Sequence, residues 1–432
     1  MTTTTLRTSA SDTARDAYGK IAWRILPFLL LCYFAAYIDR VNIGFAKLQM
    51  SSDLGFSEAA YGLGAGIFFI GYSIFEVPSN LMLHKVGARR WIARILISWA
   101  IVSACFSFVQ TETHFYLLRF LLGVAEAGFA PGALLYLTYW FPAARRSRAN
   151  SIMFLAIPLA GIVGAPLSGF IMERMGGVAA WEGWRWMFVL EALPALIAGV
   201  LVFRFLPDRP GEVDWLTAAE KRQVQADLDE DAGARTEHLS IRQFLADRRL
   251  WLLSAIYFAV VMGQYAITFW LPTIIRNAGA TTPLLNGLLT SLPFVAAMIA
   301  IVGFSISADR HRERRWHLIA PMVMGAAALT IASFVPHDLT LSIVLLSIAA
   351  AGMLGATVMF WSLPPAFLGG VWAAAGIGGI NAIGNVAGFV SPYVIGSLVS
   401  ATGDLKLGLY AITAAVLIGA ALVLLVPRSA NR

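Results

Sequence analysis

The feature that most constrains this chain is a series of apolar stretches, each about 20 residues or longer, separated by short polar connections. An α-helix rises about 1.5 Å per residue, so roughly 20 apolar residues cross the hydrocarbon core of a bilayer. With 58% hydrophobic and only 13% charged residues, the chain is predicted to be an all-α, polytopic membrane protein. Its twelve predicted spans are 21–45, 57–83, 91–110, 113–140, 147–173, 184–206, 250–275, 284–308, 316–335, 339–363, 371–400 and 405–427.

Basic residues in the connections predict the orientation of these spans. Even-numbered connections carry clusters such as Arg89-Arg90, Arg145-Arg146 and Arg314-Arg315, whereas odd-numbered connections carry few basic residues. Because cytoplasmic connections retain lysine and arginine, both termini are predicted to face the cytoplasm. The same distribution accounts for the net charge of +7 without a basic face on a soluble domain, so a nucleic-acid partner is not expected.

A long polar segment, 207–249, divides the chain into two halves of six spans each. Within it, Thr217 and Glu220, and then Ser240 and Gln243, have capping-box spacing, which predicts two short helices on the membrane surface. The predicted division is a cytoplasmic tail, a first six-helix bundle, a cytoplasmic linker, a second six-helix bundle and a short cytoplasmic tail, at 1–20, 21–206, 207–249, 250–427 and 428–432.

Four charged residues inside these apolar segments are singled out: Asp39 and Arg40 in the first, and Arg119 and Glu126 in the fourth. A charge near the bilayer centre is costly by a few kcal/mol or more unless it is paired or hydrated, so such residues usually mark a transport pathway. The alternative is a structural ion pair that joins helices. Two acids and two arginines exceed what one such pair requires, so these four residues are the predicted functional centre.

The two halves contain a repeated motif. The stretch from Asn80 to Trp91 follows the second span, and the stretch from Ser305 to Trp316 follows the eighth; their Arg-Arg-Trp triplets lie 225 residues apart. A six-span repeat, with its binding site at the interface between the repeats, is typical of secondary transporters.

At these motifs the chain resembles the major facilitator superfamily, over essentially its full length. The loop motif of that family is close to Gly-x-x-x-Asp-Arg-x-Gly-Arg-Arg. The second copy keeps Asp309-Arg310, whereas the first has Asn80 for the glycine and His84 for the aspartate. This departure resembles the anion:cation symporter branch, which includes bacterial permeases for tartrate, phthalate and hydroxyphenylacetate.

Further stretches resemble the same branch: Tyr37 to Asn42, Arg119 to Gly132, Trp184 to Glu191 and Leu206 to Pro210. The resemblance implies that the acids Asp39 and Glu126 carry a coupling proton and that Arg40 and Arg119 handle the substrate anion or the proton switch. The predicted substrate contacts beyond the arginines are Tyr37, Tyr72, Gln264, Tyr265, Trp361 and Asn385. The predicted cytoplasmic gate consists of Lys85, Arg89, Asp309 and Arg310.

For any single aromatic residue in that set, packing or an interfacial position is an open alternative. Asn385 is harder to explain by packing, because an amide inside a span needs polar partners away from lipid. On the fifth span, Ile157 stands where some sugar-acid porters of the branch place an amide. This favours a smaller or partly apolar anion over a polyhydroxylated sugar acid.

Elementary electrostatics supports the same roles. Removal from water disfavours an ionised carboxyl group, and an adjacent guanidinium favours it. If an incoming carboxylate takes the arginine, the acid loses its partner and binds a proton, so anion and proton bind together. A permanently charged, bidentate arginine suits a carboxylate better than a lysine would.

Enzyme motifs are missing from the sequence: there is no HExxH, GxSxG, P-loop or GxGxxG in a strand–turn–helix setting, and no Cys/His cluster. No cofactor or metal is therefore expected, and transport must draw on an ion gradient; a proton is favoured, and sodium stays open. The sequence predicts a bacterial inner-membrane symporter that imports a small organic carboxylate, and the resemblance implies a monomer. An antiporter or exporter of related anions, or a non-transporting membrane sensor, are the open alternatives.

Overall fold

The computed structural model describes residues 2–233, 246–311, 313–335, 337–364 and 370–427. Within these residues, twelve helices are long and apolar enough to cross a membrane, which confirms the predicted number. They are numbered spans 1 to 12 here, and their bounds are Asp16–Leu54, Glu58–Val86, Ala88–Phe108, Glu112–Thr138, Ala143–Arg174, Gly183–Phe205, Arg248–Asn277, Pro283–His311, Arg315–Ala332, Leu339–Phe360, Ile377–Thr402 and Leu405–Val423.

Two of these helices extend well beyond the predicted limits. Span 1 is part of a helix that runs from Thr2 to Leu54, and span 11 is part of the helix Gly370–Thr402. Helices suit a bilayer because their backbone N–H and C=O groups are satisfied within the segment. Several helices begin at a capping side chain; the Ser57 side chain, for example, accepts a hydrogen bond from the Ala60 N–H at 3.0 Å.

Span 4 is interrupted next to one of the predicted functional acids. Its first helix, Glu112–Glu126, ends at Glu126, and a second helix, Phe129–Thr138, follows. Between them Gly128 has φ 82°, a left-handed conformation that favours glycine. A Cβ atom at Gly128 would also lie 2.5 Å from Ser79 Oγ. The break therefore depends on glycine, and it leaves Glu126 at the end of a helix.

The packing of the spans is pseudo-symmetric. Between the halves, span 2 packs against span 11, span 8 packs against span 5, and span 1 packs against span 7. Shifting each number by six converts the first pair into the second and leaves the third unchanged. This relation is the one expected of two six-helix bundles related by a pseudo-twofold axis. The boundaries predicted for the tails, bundles and linker stay a prediction.

The linker contains one described helix, Ala218–Gly233. The predicted capping box is present: the Glu220 N–H donates to Thr217 Oγ1 at 3.2 Å, and the Thr217 N–H donates to Glu220 Oε2 at 2.8 Å. Lys20 at the start of span 1 donates to Glu220 Oε1 at 2.7 Å, and this hydrogen bond lowers the pKa of the Glu220 carboxyl. The linker helix is thereby tied to the first half. The second predicted helix, near 240–243, lies outside the described residues.

Candidate functional site

An ion pair between Arg40 of span 1 and Glu126 of span 4 lies in the interior of the first half. The Arg40 side chain is 13% exposed and the Glu126 side chain only 1%. Three aromatic rings surround the guanidinium, with centroids 5.0 Å (Tyr37), 5.4 Å (Phe68) and 5.6 Å (Tyr72) from Arg40 Cζ. Such rings attract a cation and limit its access to water. The arginine is therefore held in an aromatic enclosure with one anionic partner.

This ion pair does not use all of its hydrogen-bonding capacity. Arg40 Nε and Glu126 Oε2 are buried, and neither has a hydrogen-bond partner among the described residues. A buried polar atom without a partner is unfavourable by about 1–3 kcal/mol. The site thus offers a donor that suits a carboxylate oxygen and an acceptor that suits a proton.

Asp39, the neighbour of Arg40 in sequence, has a different environment. Its carboxylate accepts hydrogen bonds from Asn42 Nδ2 at 3.2 Å, from Trp99 Nε1 at 3.0 Å and from the Ser103 hydroxyl. Within the part of the chain that the structure describes, no arginine forms an ion pair with it. The expected pairing of acids with arginines is therefore present at Glu126 and not at Asp39, because successive helical residues point in different directions.

Arg119 also lacks a carboxylate partner among the described residues. Its Nε and Nη2 atoms donate to the backbone carbonyls of Gly64, at 3.1 Å, and Ala65, at 2.9 Å, on span 2. The side chain is buried, and its Cζ lies 5.0 Å from the Phe68 ring. Although Arg119 and Glu126 share one helical face, they are two turns apart, and small residues on span 2 bring backbone carbonyls within closer reach of the arginine.

The structure also reveals two intramembrane acids that the sequence analysis did not single out. Glu76 of span 2 accepts hydrogen bonds from Asn381 Nδ2 at 3.4 Å and Asn385 Nδ2 at 3.3 Å, both on span 11. Glu191 of span 6 accepts one from Ser168 Oγ at 2.7 Å, while its other carboxylate oxygen has no partner in the described structure. Both acids satisfy the criterion that selected Asp39 and Glu126, a charge inside an apolar span, and applying it throughout would have found them.

The predicted substrate contacts from the second half divide into two groups. Asn385 donates a hydrogen bond to Glu76 of span 2 at 3.3 Å. Trp361 packs against Tyr257, with ring centroids 4.8 Å apart. Gln264, by contrast, accepts a hydrogen bond from Thr357 Oγ1 at 3.0 Å and is engaged with span 10. The next residue, Tyr265, is buried, and its ring stacks on that of Phe269 with centroids 5.5 Å apart.

The predicted gate residues lie on the side of the protein that carries the even-numbered connections. The Arg89 N–H donates to Asp208 Oδ1 at 2.8 Å, and the side chains of Lys85, Asp309 and Arg310 are exposed. Among the described residues, no hydrogen bond or ion pair joins the two repeated loops. Their role in gating stays a prediction, and it concerns a conformation in which this side of the protein is closed.

The opposite side, which carries the odd-numbered connections, is closed by contacts between the halves. Lys47 Nζ of span 1 lies 2.6 Å from Glu58 Oε2 and donates to Thr273 Oγ1 of span 7 at 3.2 Å. The Tyr61 hydroxyl donates to the Phe269 carbonyl at 3.1 Å. On the predicted topology, this closed side faces away from the cytoplasm.

Comparison with protein families identifies this architecture. The sequence profile described as "Major Facilitator Superfamily" matches residues 29–392. The chain belongs to the Major Facilitator Superfamily. This Major Facilitator Superfamily protein is 45% identical over 426 residues to the "Putative metabolite transport protein NicT" of Pseudomonas putida, covering 98% of this chain and 97% of the relative. It is 46% identical over 423 residues to a "Putative tartrate transporter" of Agrobacterium vitis, covering 98% and 94% of the two chains.

A solved structure shares the fold at low sequence identity. The bacterial homolog of the human lysosomal transporter Spinster, in an inward-facing and unoccupied conformation, superposes with a TM-score of 0.77 at 17% identity, covering 95% of this chain and 97% of that one. The family and the named relatives show that the protein is a transporter of small molecules rather than an enzyme. It is a multi-pass protein of the bacterial inner membrane.

Proposed function

We propose that this transporter imports a small organic carboxylate together with a proton, by alternating access around the Arg40–Glu126 ion pair. The observation that carries the proposal is the unused capacity of that ion pair. A guanidinium nitrogen of Arg40 and one carboxylate oxygen of Glu126 are buried with no partner among the described residues. An organic anion and a proton are the two ligands that would satisfy both atoms at once.

The proposed coupling follows from charge balance at this site. Without substrate, Glu126 neutralises Arg40. When a substrate carboxylate binds Arg40 in the bidentate geometry that guanidinium favours, Glu126 loses its cationic partner. An uncompensated charge in a buried site is strongly unfavourable, and protonation of Glu126 removes it. Anion and proton therefore enter the site together, and each increases the affinity for the other.

Asp39 and Arg119 are proposed to assist proton coupling without forming part of the Arg40–Glu126 ion pair. Asp39, held by Asn42, Trp99 and Ser103, is the proposed second proton carrier on the same span as Arg40. Arg119 holds the backbone of span 2, and its permanent positive charge favours the ionised form of nearby acids. Arg119 would then influence proton binding by these acids through its electrostatic potential rather than through a direct ion pair.

The substrate class is proposed from the site and from the relatives. One cation enclosed by Tyr37, Phe68 and Tyr72 suits a carboxylate on a small or partly apolar body. The tartrate transporter named above is an organic-acid carrier by its description. Tartrate-like, phthalate-like and hydroxyaromatic acids are the candidate substrates.

The decisive experiment measures uptake of labelled carboxylates into proteoliposomes with an inward proton gradient, with and without an uncoupler. We expect uncoupler-sensitive accumulation of at least one acid by the wild type. The Glu126→Gln variant is expected to lose accumulation and to retain exchange of preloaded acid, because glutamine keeps the shape of the side chain but cannot take up the proton. Glu112→Gln, which makes the same change at an exposed position at the start of span 4, is the matched control.

Other outcomes would select the alternatives. Accumulation that the uncoupler does not affect, or that Glu126→Gln preserves, would contradict proton coupling at Glu126. Exchange of preloaded acid by the wild type without net uptake would identify an antiporter. Binding of an acid without any flux would identify a sensor.

A further inference from the structure

Glu76 is an intramembrane acid with an incomplete set of partners. It lies one helical turn beyond Tyr72 on span 2 and is half-buried. Its two oxygens accept from Asn381 at 3.4 Å and from Asn385 at 3.3 Å. Both distances are at the long limit for N–H···O hydrogen bonds, which centre near about 2.9–3.0 Å. The carboxylate is therefore held weakly, by amides of the other half of the protein.

No cation forms an ion pair with Glu76 in the part of the chain that the structure describes. Arg40 is close enough for its charge to act on Glu76, but its ion pair is with Glu126. Tyr72, whose ring centroid lies 5.6 Å from Arg40 Cζ, is one helical turn before Glu76 on span 2. The cation and the acceptor are thus both neighbours of one aromatic residue.

We propose that Glu76 determines substrate specificity by accepting a hydrogen bond from a hydroxyl or ring N–H group of the acid whose carboxylate Arg40 binds. This inference rests on the proposed function and deepens it. An ionised carboxylate is an acceptor only, so the ligand atom that it faces must be a donor. A short, charge-assisted bond from the substrate would replace the long bonds from Asn381 and Asn385.

The preference would arise when the two halves close around the substrate. An acid without a donor would leave Glu76 desolvated and poorly paired, and sites built to bind a hydroxyl group reject analogues that lack it. The transported class is accordingly an acid that carries a hydroxyl or ring N–H donor, rather than a plain carboxylate.

Binding to the purified wild-type protein in detergent tests this directly. Calorimetric titrations would use succinate, malate and tartrate, which differ only in their hydroxyl groups, and the pair benzoate and 4-hydroxybenzoate. In any series that binds, we expect the hydroxylated acid to bind at least about tenfold more tightly. In Glu76→Gln the preference should fall to about threefold or less, because the charge-assisted bond is lost. The exposed Glu182→Gln is the control and should match the wild type.

Two results would overturn the inference: wild-type protein that binds acids without preferring the hydroxylated member, or a preference that persists in Glu76→Gln. If Glu76→Gln does not fold, Glu76→Asp keeps the charge but withdraws it by one methylene, and an unchanged preference would equally contradict the proposal. Failure of the proposed function looks different, because then no acid binds wild-type protein and no proton-coupled uptake occurs.

Discussion

At the scale of single residues, the two predicted functional carboxyl groups have unlike partners. Glu126 faces the guanidinium of Arg40, whereas Asp39 is surrounded by the neutral donors of Asn42, Trp99 and Ser103. A carboxylate paired with a cation responds when that cation is taken by a ligand. A carboxylate held by fixed neutral donors does not, so its protonation must follow a rearrangement of the helices. Glu126 is therefore the better candidate for direct coupling to substrate.

The Asp39→Asn variant tests this distinction. An amide carries two N–H donors, so at least one of the three donors around Asp39 would face another donor. We expect the free energy of unfolding to fall by about 1–3 kcal/mol, because buried donors lose their acceptor. Thermal unfolding of the purified variant in detergent measures the change. Unfolding as in the wild type would indicate that the carboxylate does not hold these donors.

At the scale of helices, small residues set how closely the two halves approach on the side that carries the odd-numbered connections. A Cβ atom at Gly62 of span 2 would contact the carbonyl of Pro392 on span 11 and would lie 3.1 Å from the Gly396 Cα. Glycine allows backbones to come this close. Span 8 meets span 5 in a similar way, since a Cβ at Gly287 would lie 3.1 Å from the Pro166 Cα.

We expect Gly62→Ala to oppose closure of this side. An added methyl in a close-packed contact is unfavourable by about 1–3 kcal/mol, which shifts the equilibrium away from the closed state by about 5- to 150-fold. Initial uptake rates in proteoliposomes should fall accordingly. Gly303→Ala is the matched control, since no atom lies within 4 Å of its added Cβ. Equal rates for the two variants would indicate that the approach of spans 2 and 11 does not limit transport.

At the scale of the whole molecule, a buried lysine joins the halves on the side that carries the odd-numbered connections. Lys47 bridges Glu58 and Thr273 and lies 3.8 Å from the Trp270 ring centroid. On the other side, the repeated loops that carry Lys85 and Asp309 share no described contact of this kind. A transporter that alternates between two states must break the first set of contacts as it makes the second.

Lys47→Met should therefore shift the protein toward the state that is open on the odd-numbered side. Spin labels at the exposed residues Ser52 and Asn277, with Cys32 and Cys105 replaced by serine, report the separation of the halves there. We expect a longer-distance population to grow in the variant, because the hydrogen bond from Lys47 to Thr273 of the other half is lost. The exposed Arg174→Met should leave the distribution unchanged. An unaltered distribution in Lys47→Met would show that these contacts do not stabilise the closed side.

The sequence by itself determined the membrane class, the number of spans, the repeated loops and the presence of acids and arginines within the membrane. These features are readable because hydropathy and the energetic penalty of a buried charge act locally along the chain. Tertiary structure decided which charges meet. Arg40 pairs with Glu126 across 86 residues, and Asn385 reaches Glu76 across 309. Those partners depend on side-chain direction and on helix packing, which hydrophobic patterning leaves open.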